Sequence, residues 1–201
     1  MRIFKLLFAA AGATVVLGAL TPSAFARNFS YESQTWRAAY RELNFIAMGR
    51  TSCQVTLEGS FNARTIPKVN GSLVGYITTA TLGPCTSGTA TILSETLPWH
   101  YRISGFTGNL PDITSIIYHV VNFSVRVREA GGITCLARSS TAEPVVQQAH
   151  RDPVTSSITG LSNTGRIRTG AECLGISGEI TSDNPTPTIP GTTAGFHVRL
   201  I

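Results

Sequence analysis

From Cys53 to Gly59 the side chains alternate strictly. Cys53, Val55, Leu57 and Gly59 share one face, and Gln54, Thr56 and Glu58 share the other. A period of two is that of a strand with one buried side. Leu43, Phe45 and Ala47 alternate just before it, and Gly49-Arg50 offers the turn between the two. Further β-rich runs cover Leu73 to Leu82, Thr89 to Leu93, Ile133 to Arg138, Ser156 to Leu161, Ile176 to Ile180 and Gly195 to Ile201. The strongest strand pattern lies in Ile113 to Val127, through Ile117, Val121, Phe123, Val125 and Val127. Residues 33–48 carry two patterns. Trp36, Tyr40, Leu43 and Ala47 also fall on one helical face, but Phe45-Ile46 and the turn that follows favour a strand.

Turn residues separate these runs at short, regular intervals, which suits an antiparallel sandwich. Asp183 to Gly191, with Pro185, Pro187 and Pro190, reads as a stiff surface loop before the last strand. Leu97-Pro98 and Leu110-Pro111 read as crossings between sheets, because proline removes a ladder donor. Trp99 would then plug the core beneath the first crossing. Composition agrees: charged residues make up only 13% of the chain, while Thr, Ser, Val, Ile and Gly are plentiful. The expected fold is all-β, a single disulfide-stapled antiparallel β-sandwich or β-barrel-like domain over residues 27–201.

Residues 1–26 read differently. Arg2 and Lys5 precede an apolar run from Leu6 to Leu20, and Ala24-Phe25-Ala26 supplies small residues for cleavage. This is the pattern of an export signal, and the run is short of the roughly 20 residues of a membrane span. The expected product is secreted, periplasmic or held at the cell surface, with no transmembrane segment after signal removal.

In such a compartment four cysteines allow three pairings. Cys53–Cys85 with Cys135–Cys173 joins sequence neighbours and gives each half of the chain one staple. Zinc sites bring cysteines in close pairs, and no two are close here, so no metal and no cofactor is expected. The net charge of +5 is spread along the chain. The alternating Arg126 and Arg128, and Arg166 and Arg168, suit the solvent faces of strands, so nucleic acid is not an expected partner.

Motifs for catalysis are missing. The four histidines form no H-E-x-x-H helix, and no G-x-S-x-G turn occurs. His150-Arg151-Asp152 reads as part of a surface loop. Glu95 and Asp112 could act on a glycoside only at a suitable separation, which the sequence does not supply. Trp99, His100, Tyr101 and Phe106 form a candidate ligand platform. The expectation is a non-enzymatic secreted or cell-surface β-protein that interacts with surfaces, matrix or apolar compounds. Two alternatives stand beside it. One is a fimbrial-type subunit whose segment Phe29 to Tyr40 completes a neighbour's sheet by strand exchange. The other is a hydrolase with an unrecognised site.

The run Cys53-x-Val55-Thr56-Leu57-x-Gly59-Ser60-Phe61, the second cysteine Cys85 and Leu97-Pro98-Trp99 resemble small secreted proteins of Gram-negative bacteria. Some of those proteins are of the alkane-oxidation activator type. The similar stretch covers residues 42–101, with Cys173-x-Gly175-x-Ser177-Gly178 matching a later cysteine, while Tyr101 to Thr134 departs from the pattern. The resemblance implies an extracytoplasmic β-protein linked to surface behaviour, with no catalytic residues to carry over.

Overall fold

The computed structural model describes residues 28–170, 173 and 175–201. The expected export signal, residues 1–26, lies outside the described residues. Fourteen strands follow in order: β1 (Asn28–Tyr31), β2 (Thr35–Ile46), β3 (Arg50–Phe61), β4 (Thr65–Pro67), β5 (Leu73–Cys85), β6 (Thr89–Ile92), β7 (Trp99–Asn109), β8 (Asp112–Val121), β9 (Ser124–Arg128), β10 (Thr134–Arg138), β11 (Val145–Arg151), β12 (Ile158–Thr169), β13 (Gly178–Ser182) and β14 (Val198–Leu200).

Eight of them close into a ring. The order is β2-β3-β5-β7-β8-β11-β12-β13, and β13 pairs back onto β2, every pairing antiparallel. The all-β antiparallel expectation is met in its barrel form. An eight-stranded barrel has an interior just wide enough for side chains to fill. Here it is filled by alternate residues of the strands. Trp36, Ala38 and Tyr40 turn inward from β2, Val55, Leu57 and Phe61 from β3, and Trp99, Tyr101 and Ile103 from β7, all buried.

The chain is an up-and-down meander, so its connections divide between two ends. At one end lie both disulfides. Cys53–Cys85 joins residues directly opposite each other on β3 and β5. Cys135–Cys173 ties β10 to the segment that follows β12. A small flap, β6-β9-β10, extends from β12 at this end. The expected pairings are thus the ones formed. At the other end a separate three-stranded sheet, β14-β1-β4, covers the barrel mouth.

Several expectations need correction. Ile113 to Val127 is not one strand. Asn122 sits at φ 69°, in the left-handed region that asparagine tolerates better than most residues, and the chain turns there out of β8 into β9. The Ser139 hydroxyl fills the gap in the ladder, accepting from the Phe123 N–H at 3.0 Å and donating to the Val120 carbonyl at 3.0 Å. Leu110-Pro111 is the tip of the β7–β8 hairpin rather than a crossing, whereas Leu97-Pro98 does lead from the flap back into the barrel. The ambiguous residues 33–48 hold a strand, β2, which alternates cleanly until a register shift between Tyr40 and Leu43. His150 is a strand residue and not in a loop. It lies on β11, half-buried, with Nε2 3.1 Å from Ser162 Oγ.

Candidate functional site at the capped end of the barrel

Strands β1 and β14 of the cap bring chemistry to two faces, because alternation works on them as it does on the barrel. Phe29 and Tyr31 of β1 turn inward and are buried, as are Phe196 and Val198 in and before β14. Ser30, Glu32, His197 and Arg199 turn outward. The inner face therefore plugs the barrel, and the outer face floors a cleft.

Behind the plug is a small apolar cavity of about 20 Å³. Trp36, Phe61, Tyr101, Tyr118, Phe196 and Val198 are among the residues around it. Phe61 packs on Tyr31, Tyr101, Tyr118 and Phe196 with centroid separations from 4.1 to 6.3 Å. Trp36 reaches this position by folding over its cross-strand partner Gly59. A methyl group there would stand 2.6 Å from the indole ring. The indole Nε1 of Trp36 is buried and has no hydrogen-bond partner. Water needs two to four polar partners to settle in a cavity, and this lining offers few.

Deeper in the barrel is a polar belt. Tyr101 donates to Gln147 Oε1 at 2.5 Å, and Gln147 Nε2 donates to Tyr40 Oη at 3.0 Å and to Asn163 Oδ1 at 3.1 Å. Asn163 is in turn held through Ser182 Oγ. Burial pushes the phenols of Tyr40 and Tyr101 upward, so they remain neutral donors and acceptors. Tyr31 and Tyr118, also pushed up by burial, meet hydroxyl to hydroxyl at 2.7 Å. One hydrogen serves that bond; the second hydroxyl keeps a hydrogen to donate.

The outer cleft, about 490 Å³, is lined by Ser30, Tyr31, Glu32, Arg64, Thr155, His197 and Arg199. His197 Nδ1 lies 3.2 Å from Ser157 Oγ, and Nε2 lies 3.9 Å from Glu32 Oε2. Thr155 donates to Ser157 Oγ at 3.0 Å in one arrangement and to Asp152 Oδ2 at 2.9 Å in another. The N–H of Val154 and the hydroxyl of Thr155 hold the Asp152 carboxyl below its ordinary range. Arg151, 7% exposed, fastens the cap to the barrel. Its guanidinium donates to the Val198 carbonyl at 2.9 Å, the Ile113 carbonyl at 3.2 Å and Ser156 Oγ at 2.7 Å. Burial lowers its pKa while Asp112 and Asp152 oppose the shift.

The residues singled out from sequence are distributed otherwise. Trp99 and Tyr101 point into the barrel, 1% exposed each, and His100 between them points out against Tyr76 at 5.7 Å. Trp99 is a core plug at the disulfide end, donating to Thr96 Oγ1 at 2.9 Å and lying edge-on to Phe123 at 4.8 Å. Phe106 follows a register shift and is 36% exposed. Its ring stands 5.8 Å from Lys68 Nζ, which is also 5.6 Å from the Phe29 ring and is desolvated enough to lower its pKa. The four residues of the platform therefore do not share one surface, because strand alternation separates them. Glu95 and Asp112 lie at opposite ends of the barrel and cannot act as a pair. Among the described residues no group of three or more His, Cys, Asp or Glu could hold a metal ion.

Gln147, Asn163 and Tyr31 were not singled out from sequence. A polar residue turned inward interrupts the hydrophobic period that would reveal it, and this hid β11 altogether. No family model, no curated protein and no solved structure matches the chain. The two disulfides are those of an oxidising, extracytoplasmic setting. Among the described residues no helix is long and apolar enough to cross a membrane.

Proposed function

We propose that this is an exported, non-enzymatic β-barrel protein that binds small apolar compounds at the capped end of its barrel. The observation that carries the reading is the aromatic-lined cavity behind the cap. Apolar cavities stay dry and accept apolar guests. The cap is three short strands rather than a wall of the barrel, so it is the part that can yield. The export pattern of residues 1–26, the disulfides and the resemblance of residues 42–101 to secreted proteins of the alkane-oxidation activator type support the same setting. Titration with toluene and with octanol, followed by tryptophan fluorescence, tests it. Saturable binding that is lost in Ala149→Leu, which fills the chamber, is expected. Wild-type protein that binds neither compound removes the reading.

One observation favours a second reading, hydrolysis. Glu32, His197 and Ser157 stand in line, the order in which an acid orients a base and a base activates a nucleophile. Against it, the side chains of His197 and Glu32 are 40% and 52% exposed, so water is not excluded. Short-chain nitrophenyl esters turned over by the wild type but not by Ser157→Ala or His197→Ala would establish it. For strand exchange nothing comparable is found. The segment Phe29 to Tyr40 is already paired within its own molecule, β1 with β4 and β14, and β2 with β3 and β13.

A further inference from the structure

Resting on the reading of the chamber as an apolar site, we infer that its ligand is an amphipathic carboxylate, with its tail in the chamber and its head in the outer cleft against Arg64 and Arg199. The two spaces have separate linings, and one side chain stands between them. Tyr31 forms part of the cleft wall, while its hydroxyl bonds to Tyr118, which lines the chamber. Tyr31 is therefore the side chain whose rotation would open one space into the other.

The cleft is arranged for an anion. Arg64 and Arg199 lie on either side of β1, since Thr65 and Arg199 both pair with Ser30. Among the described residues neither guanidinium has a carboxylate within ion-pair distance, while Arg37, Arg50 and Arg168 each have one. The one carboxylate in the wall, Glu32, stands 3.9 Å from His197 Nε2. Asp152 is occupied by its own turn, bonding Val154 N and Thr155 Oγ1. A guanidinium suits a carboxylate, which accepts two of its N–H bonds at once. A head that only accepts hydrogen bonds suits the cleft, and a tail that only packs suits the aromatic lining behind it. At about 20 Å³ the cavity is too small for such a tail, so Tyr31 must move aside for it to enter.

Octanoate, octanol and acetate separate the contributions. The full exported chain should bind octanoate more tightly than octanol and show no measurable binding of acetate. The double variant Arg64→Gln/Arg199→Gln should weaken octanoate at least tenfold and leave octanol unchanged. Both positions are exposed, so the fold survives the change. Added salt should weaken octanoate alone. Equal affinities for octanoate and octanol, unaltered by the double variant, would overturn the carboxylate inference and leave the apolar site standing. Binding of neither would bring down both. Tyr31→Phe removes the hydroxyl latch but keeps the ring, and should speed association of either ligand. An unchanged rate would overturn entry past Tyr31.

Discussion

Gln147 is completely buried and is the centre of the barrel's polar belt, with Tyr101, Tyr40 and Asn163 all bonded to its amide. Gln147→Leu keeps the volume near its original but strands those three partners. Each buried polar group left without a partner costs about 1–3 kcal/mol, so the loss should be at least about 3 kcal/mol, read from the midpoint of a urea titration. Glycine positions test packing in the same way. A methyl group at Gly75 would stand 2.2 Å from the Ser60 carbonyl oxygen, whereas at Gly131 it would meet nothing within 4 Å. Backbone cannot step aside as a side chain can. Gly75→Ala should therefore cost about 1–3 kcal/mol or more, and Gly131→Ala little, by the same titration.

At the scale of elements, the cap is fastened by few interactions, and each is exposed to test. Phe196 and Val198 are 4% and 1% exposed. Deleting residues 195–201 should cost about 3–6 kcal/mol, at about 1.5–3 kcal/mol for each large side chain returned to water. Phe196→Asp should be nearly as severe, Leu200→Asp less so because Leu200 is only half-buried, and Arg199→Ser mild in thermal melts. At the opposite end, replacing Cys135 and Cys173 together by serine should lower stability by about 3–4 kcal/mol in the chain-entropy account. Strands whose inward residues are apolar were legible in the sequence: β3, β5, β6 and β10 were read within a few residues of their ends. The strands that were missed fail for a physical reason. β7 begins after a proline and carries His100 and Arg102 outward, and β11 buries Gln147 and Arg151. The break at Asn122 depends on a distant hydroxyl, that of Ser139. Of the candidate site, only the alternation of Phe196, His197 and Val198 was legible, since the cleft is assembled from β1, the turn before β4 and the segment 155–157, which are far apart in the chain.

For the molecule as a whole, four buried phenols set a limit at high pH. Tyr31, Tyr40, Tyr101 and Tyr118 all have their pKa raised by burial above the ordinary value of 10.0. The unfolded chain ionises these tyrosines once the pH passes that value, and the folded chain does not. Their contribution is fully present below pH 10 and is lost as the pH rises from there through the folded values. Alkaline unfolding and the tyrosinate absorbance of these four residues should thus appear in one transition. Absorbance that rises well before the loss of β-sheet circular dichroism would show that the barrel admits hydroxide while intact. The meeting of β1 and β14 has a different consequence. Asn28 and Ile201 exchange two backbone hydrogen bonds, N to O at 3.0 Å and 3.1 Å. Positions 28 and 201 are thus neighbours in space, and the order in which the chain visits the ring is not imposed by the ring itself. A circular permutant that joins these two positions through a short glycine linker, with new ends opened at the Leu110-Pro111 hairpin tip, should close the same barrel.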